Sequence, residues 1–287
     1  MSTKTVKIAA MACCYNRIKK TEAFLNTLTT QYVPDGYQMD IFMLDDQSPD
    51  GTGKLIRENY PQVNLIEGSG SLFWAGGMRM LWTHVAKAAQ YDFYLLLNDD
   101  VRLFDNAIAD LISAYKKAPN KDSIIIGSVL NPDHTKITYG GRRLIGKYNT
   151  DGILLKPDDA ELQECDLGNA NIMMVDSGTF DKIGVLSDRY MHSFADFDYT
   201  LNAKRHGSKV WVTPKYLGSC DYDHGKPWSS SKSLKKRIEY MRSPKGLESR
   251  SYLRYIRKFF PYYYPEAFLK IWLKTLIPSV YDKYKKD

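Results

Sequence analysis

The chain has no run of about 18 uninterrupted apolar residues, so a membrane-spanning helix is not expected. A leader is not expected either. Met1–Thr5 is polar, and Val6–Cys14 reads as a strand and not as an apolar segment before a cleavage site. The four cysteines, Cys13, Cys14, Cys165 and Cys220, lack metal-ligand spacing. They read as reduced thiols of a cytosolic protein, not as a disulfide frame. Cys13 and Cys14 are neighbours in an apparent strand and should point to opposite faces. His84, His134, His192 and His206 show no pairing that would hold a metal. No internal repeat or low-complexity segment occurs. What remains is ordinary globular material: 44% hydrophobic and 25% charged residues in 287, enough for one large domain or two smaller ones.

Positive charge is confined. The net charge is +7, yet residues 229–287 hold 15 Lys or Arg against 5 Asp or Glu. That segment is +10, which leaves −3 on the other 228 residues. A basic tail on a near-neutral body argues against nucleic acid as a partner. Within the tail, Leu269, Trp272, Leu273 and Leu276 follow helical spacing and form one apolar stripe flanked by Lys270 and Lys274. Tyr252, Tyr255, Ile256, Phe259 and Phe260 make a second cluster among Arg250, Arg254, Arg257 and Lys258. Two uses fit: contact with an anionic membrane surface, or packing on the rest of the chain or on a second copy in a homodimer.

The body alternates short strands and helices. Lys4–Cys14 is a first strand, broken by Tyr15-Asn16-Arg17, and residues 18–31 then show helical spacing. Gln38–Leu44 is a second strand ending at Asp45-Asp46, followed by dense turn chemistry through Thr52. Val63–Ile66 is a third. Gly68–Gly77 reads as a glycine-rich loop, with a helix from Gly77. Tyr91–Leu97 is an aromatic-rich apolar run that ends in Asn98-Asp99-Asp100, as suits a strand buried on both faces with its ligand end polar. Residues 131–168 carry turn signals and short extended pieces, so hairpins are expected there. Met191–Tyr199 leads into a helix stopped by Gly207, and Lys209–Thr213 is a last strand. The pattern predicts an α/β sheet with right-handed crossovers.

Three sets of carboxylates, Asp45-Asp46, Asp99-Asp100 and Asp196, each fall where a strand or loop should end at one rim. Two adjacent carboxylates repel unless a cation or donor compensates them, and oxygen ligands of this kind suit Mg²⁺ or Mn²⁺. Glycines such as Gly76 and Gly77 let a backbone approach phosphate. A separate carboxylate can deprotonate an attacking hydroxyl. Together these are the parts needed to handle a nucleotide diphosphate.

Over roughly residues 4–215 the chain resembles the inverting glycosyltransferases of family 2, which have the GT-A fold and build bacterial surface polysaccharides. The resemblance is carried by Tyr15-Asn16-Arg17, Leu44 through Thr52, Phe73-Trp74-Ala75-Gly76-Gly77-Met78, Asn98-Asp99-Asp100, and Ala195 through Gly207, in that order. It implies a GT-A-like single nucleotide-binding α/β domain with a mostly parallel central sheet, plus a basic helical C-terminal extension. The expected limits are 1–228 for the catalytic domain, with a nucleotide-binding half to about 100 and an acceptor-binding half to 228, and 229–287 for the extension. It implies that Asp45 or Asp46 contacts the nucleoside, with Tyr15 and Arg17 near the base or ribose. Asp100 is then the metal ligand, Asp99 a sugar, ribose or second metal contact, and Asp196 the base. Asp198 would buttress or cap its helix. His224, in a glycine-containing segment past the last strand, could reach the metal or diphosphate of a nucleotide-sugar donor. Two departures stand out: Ala195 where the family often has Glu, and Met78-Arg79-Met80 where it often has Asn after the glycines. Arg79 could meet a phosphate or lie on an exposed helix face, and Trp74 could pack on a sugar or in the core.

The expected partners are a nucleotide sugar and a glycan or lipid-linked glycan acceptor. The expected location is the cytoplasm, with peripheral contact at the inner face of the cell membrane. Two rivals stay open: a nucleotidyltransferase of similar layout, though no glycine-rich basic loop follows the first strand, and a silent glycan-binding scaffold with the same fold.

Overall fold

A computed structural model of the chain describes residues 5–221 and 230–279. The elements, in order, are β1 (Val6–Cys14), α1 (Ile18–Leu28), β2 (Tyr37–Asp45), α2 (Thr52–Asn59), β3 (Val63–Glu67), α3 (Phe73–Ala88), β4 (Phe93–Asn98), β5 (Arg102–Leu103), α4 (Ala107–Lys117) and β6 (Ser123–Leu130). There follow β7 (Ile137–Tyr139), β8 (Gly141–Leu144), β9 (Gly152–Leu154), β10 (Gln163–Glu164), β11 (Leu167–Gly168), β12 (Ile172–Asp176), α5 (Ser177–Ile183), α6 (Ala195–Arg205) and β13 (Lys209–Ser219). Three helices close the described chain: α7 (Leu234–Arg242), α8 (Ser249–Phe259) and α9 (Tyr264–Leu276).

The main sheet runs β10-β13-β6-β12-β4-β1-β2-β3. Strands β1 to β4, β6 and β13 share one direction, and β12 is inserted antiparallel between β4 and β6. The expected mostly parallel sheet is therefore present. The region expected to form hairpins holds β7, paired with β6, and the small sheet β11-β8-β9. The last strand continues past Thr213 to Ser219, with register shifts around Pro214–Gly218 that let it accept a proline.

Strand alternation builds two cores. Ile8, Ala10, Ala12 and Cys14 of β1, with Phe93, Leu95 and Leu97 of β4, face α1, α2 and α4. Ala9, Met11 and Cys13, with Tyr94 and Leu96, face α3 and α6. The period of two sends neighbouring residues to opposite faces, so Cys13 and Cys14 separate as expected; all four cysteines are free and buried. On the α3 side Trp82 is fully buried among Tyr94, Phe180 and Tyr199, with ring centroids 5.3–5.6 Å away. Such aromatic pairs contribute about 0.5–1.5 kcal/mol each beyond their area burial. The same apolar cluster includes Tyr255, Ile256, Phe260 and Ala267 of the C-terminal helices. Those helices do pack on the body of this chain. Of the stripe Leu269, Trp272, Leu273 and Leu276, the three leucines are 58%, 46% and 54% exposed and Trp272 is half-buried. The buried face of α9 is instead Ala267, Ile271 and Thr275. No helix among the described residues is long and apolar enough to cross a membrane.

Candidate active site

Parallel strands β1, β2 and β4 end together, with Cys13 level with Leu44 and with Asn98. The chain turns sharply after each. Asn16 adopts a left-handed backbone (φ 54) and donates its N–H to Ser48 Oγ at 2.9 Å, and Ile18 N–H reaches Asp50 Oδ2 at 2.9 Å. These bonds tie the loop after β1 to the loop after β2. The result is one wall of a cleft of about 620 Å³, lined by Cys13, Tyr15, Arg17, Asp46, Gly70, Ser71, Phe73, Trp74, His192 and Lys245, among others. That volume suits a small ligand. A smaller cavity of about 260 Å³ lies between α6 and α8, lined by Leu144, Leu201, Phe259 and Phe260, among others. It is mostly apolar and lies away from the strand ends.

At the end of β4, Arg17 bridges the acidic pair. Its guanidinium donates to Asp100 Oδ2 at 2.9 Å and to Asp99 Oδ1. Asp99 is fully buried, and its second oxygen accepts from the Thr21 hydroxyl at 2.9 Å. Burial pushes its carboxyl up to about 6, against the pull of Arg17 in the other direction. Asp100 is partly open, 14% exposed, with Cys220 Sγ 3.5 Å from Oδ1.

Among the described residues no three His, Cys, Asp or Glu side chains are grouped to hold a metal ion. One carboxylate beside a diphosphate is nonetheless a usual way to hold Mg²⁺, and Asp100 fits that part. Two residues before it, the amide oxygen of Asn98 is buried with no hydrogen-bond partner among the described residues. Asp99 does not fit. Each of its oxygens accepts a hydrogen bond and none of it reaches solvent, so in this conformation it braces Arg17 and α1 and does not face the cleft. His224 lies outside the described residues.

The second acidic pair also divides. Asp46 lines the cleft, and its oxygens accept the N–H groups of Gly70 (2.7 Å) and Leu72 (2.8 Å). It thus fixes the glycine loop while keeping free lone pairs. Asp45 turns away, under α2. Its Oδ1 accepts from the N–H and hydroxyl of Ser48, and a Cβ on Gly53 would collide with Oδ2. Of the two candidates for the nucleoside, the geometry leaves Asp46.

The glycine loop is shorter than the sequence indicates. Helix α3 begins at Phe73, so Gly76 and Gly77 are helical. The N–H groups of Ala75 and Gly76 are donated to Met191 O at 3.0 and 3.3 Å, not to the cleft. Gly77 is small because α3 lies close on β1: a Cβ there would meet Cys13 Sγ at 3.2 Å. Both lose their expected phosphate role, and Gly70 and Ser71 line the cleft instead. Arg79 does neither of the things expected of it, since it donates to the carbonyls of Ser187 and Tyr190. Trp74 lines the cleft, with its indole N–H unpartnered among the described residues. Tyr15 is 41% exposed there, and Lys245 from the segment between α7 and α8 sits 5.6 Å from its ring centroid.

Asp196 opens α6. Its Oδ2 accepts from Asn169 Nδ2 and Ala170 N, both at 3.4 Å, and its Oδ1 from Phe197 N at 2.9 Å. Desolvation raises its carboxyl above the usual range, outweighing those bonds. Asp196 is joined to the β4 end through a short path. Ala170 precedes Asn171, whose carbonyl accepts from Asn98 N at 3.2 Å. Asp198 is buried behind it and forms an ion pair with Lys258 of α8. Sequence reading missed Thr21, Asn169, Asn171, Cys220, Lys245 and Lys258. Thr21 alone had a local signal, four residues after Arg17 and so on the same helix face.

Residues 10–159 match glycosyl transferase family 2. The match spans more than half of the chain, and the chain belongs to that family. No curated protein matches it by sequence. Among solved structures it is similar to the mannosyltransferase PcManGT of Pyrobaculum calidifontis, determined with GDP-Man and Mn²⁺ (14% identity, TM-score 0.53, covering 93% of this chain and 69% of that one). It is also similar to GalNAc-T7 with UDP, GalNAc and Mn²⁺ (14% identity, TM-score 0.60, 83% and 48%) and to TarS of S. aureus (13% identity, TM-score 0.55, 90% and 44%). The chain spans less than half the length of the last two. At these identities the likeness is one of fold, and it is the GT-A glycosyltransferase fold.

Proposed function

We propose that the protein is an inverting, metal-dependent glycosyltransferase that moves a sugar from a nucleotide diphosphate to a hydroxyl of a glycan. The observation that carries this reading is Asp196: a raised, weakly bonded carboxylate at a helix start, joined through Ala170 and Asn171 to the acidic end of β4. A base whose pKa is raised above the ordinary carboxylate range accepts a proton more readily. The nucleotide would occupy the cleft against Tyr15, Arg17 and Asp46, with Trp74 and Phe73 offering aromatic faces to a sugar. Asp100 would hold Mg²⁺ or Mn²⁺, which supplies charge neutralisation to the departing diphosphate. Asp196 takes the proton of the acceptor hydroxyl as its oxygen attacks the anomeric carbon. The bond to the diphosphate breaks on the opposite face, so configuration inverts. Arg17 stands beside Asp100 with further donors for phosphate oxygens.

The acceptor we favour is a growing, lipid-linked surface glycan. Support comes from the exposed Leu269, Leu273 and Leu276 on a segment of charge +10, which suits an anionic membrane surface. Co-sedimentation with vesicles of anionic lipid tests this. Binding to neutral vesicles alone, or a concentration-dependent dimer in place of binding, would discard it.

The donor site is tested by thermal shift with UDP, dTDP, GDP and their sugars, each with Mn²⁺, Mg²⁺ or chelator. A ligand that binds only the folded state raises Tm by mass action. The expected result is a metal-dependent rise for one nucleotide. No rise with any of them would overturn the donor site.

A further inference from the structure

We infer that Lys258, on the C-terminal helix α8, is a positioning residue for Asp196, holding the first turn of α6 through Asp198. The inference rests on reading Asp196 as the base.

Residues two apart on a helix point about 200° from one another. Asp196 and Asp198 therefore leave α6 on opposite sides. Asp196 faces the 169–170 segment, where its bonds are long. Asp198 faces α8, where its bonds are short and complete. Lys258 Nζ lies 2.8 and 2.9 Å from its two oxygens, and the Tyr190 hydroxyl donates to Oδ1 at 2.8 Å. Asp198 is 3% exposed, so this is a buried charge satisfied on both oxygens. Removing one partner of such a pair leaves the other charge stranded.

Two further contacts show that α8 grips α6 along its length. Phe194, which precedes α6, has a left-handed backbone (φ 69), and its ring stacks on Tyr255 at 5.6 Å and 24°. At the far end, Arg205 donates to Lys258 O at 3.0 Å and lies 4.3 Å over the Phe259 ring. With one face and both ends of α6 held by α8, the direction of Asp196 is set by an element some sixty positions further along the chain.

The charged and titratable groups around the two carboxylates are few. Tyr255 and Lys258 come from α8, with Tyr252 and Arg254 near them, and Tyr190 comes from the segment before α6. From the other side come the amides of Asn169 and Ala170. Lys258 is thus the cation that balances Asp198, two residues along α6 from Asp196.

The test uses the full chain and the nucleotide sugar selected by thermal shift, with release of nucleoside diphosphate as the readout. Lys258→Met should lower kcat at least tenfold, with the donor KM and donor-induced Tm shift unchanged. It should also move the acid limb of the pH–rate profile to higher pH, because an unbalanced Asp198 carboxylate disfavours ionisation of Asp196. Asp198→Asn leaves Lys258 unbalanced and should move that limb to lower pH. Lys258→Arg should restore the wild-type profile. A merely structural role predicts lower Tm in the first two variants with kcat and profile unmoved, and that result overturns the inference. If Lys258→Met does not fold, Asp198→Asn carries the test alone: an unmoved acid limb overturns the inference. Asp196→Asn separates the two readings. Full transfer in that variant removes the base itself, whereas an inactive Asp196→Asn beside a normal Lys258→Met removes only the positioning role.

Discussion

Of the carboxylate pairs gathered here, two meet a cation brought from elsewhere in the chain. At the end of β4, Arg17 touches both Asp99 and Asp100. At the start of α6, Lys258 takes Asp198 alone and leaves Asp196 with bonds of 3.4 Å and one to its own neighbour. The difference is one of chemistry. A pair balanced as a unit is a fixed electrostatic surface, ready for a ligand that brings its own charges. A pair balanced on one side only leaves a carboxylate poised to accept a proton. It also differs in origin. Arg17 follows the adjacent strand β1, whereas Lys258 belongs to the C-terminal extension.

The sharpest way to break this comparison is Asp196→Asn. Turnover should fall about 10²- to 10⁴-fold, the usual contribution of a general base. The donor-induced Tm shift should stay, because the cleft proposed for the nucleotide is lined by other residues. Equal losses of turnover from Asp196→Asn and from a donor-binding failure would dissolve the distinction between the two pairs.

A smaller effect concerns stability and pH. Burial raises the Asp99 carboxyl from 3.8 to about 6 in the folded chain. Between those values the folded protein keeps a proton that the unfolded chain has released. The stability linked to Asp99 is therefore full below about pH 4 and is lost as pH rises toward about 6. Denaturant melts across that window should show the fall in wild type and a flatter profile in Asp99→Asn. An identical slope in both would mean that Arg17 keeps Asp99 ionised throughout.

The smallest catalytic effect is expected on α9. Leu269→Glu with Leu273→Glu alters side chains that are exposed in the described chain. Turnover of a soluble acceptor should stay within about twofold, since surface changes away from packed features shift stability little. Binding to anionic vesicles should drop. Loss of turnover in this variant would show that the outer face of α9 matters to the same site that Lys258 serves.

Much of this was legible locally. The run before Asn98 is apolar on both strand faces, and its acidic end, which alone would suit a capping turn, gained its reading from the other carboxylates. The order of Tyr15-Asn16-Arg17, Asp45-Asp46, Asn98-Asp99-Asp100 and Asp196 pointed to one rim, and the loops after β1 and β2 and the β4 end do meet there. The errors share a cause. Gly76 and Gly77 look like a phosphate loop because glycine signals freedom, but Gly77 is there for its lack of bulk against Cys13. Asp45 and Asp46 are indistinguishable as letters. Only the placement of α2 under one and the glycine loop over the other tells them apart. The apolar stripe of the tail left membrane contact and packing both open by spacing, and only the packed helix showed that its smaller residues turn inward.

By itself the sequence determined the strands, their polar ends and the chemical types gathered at them, because hydrophobic periodicity and turn chemistry act over a few residues. The tertiary structure decided which of each acidic pair is free to act. That choice depends on burial and on cations such as Arg17 and Lys258, whose distance from their partners is set by packing and not by the chain between them.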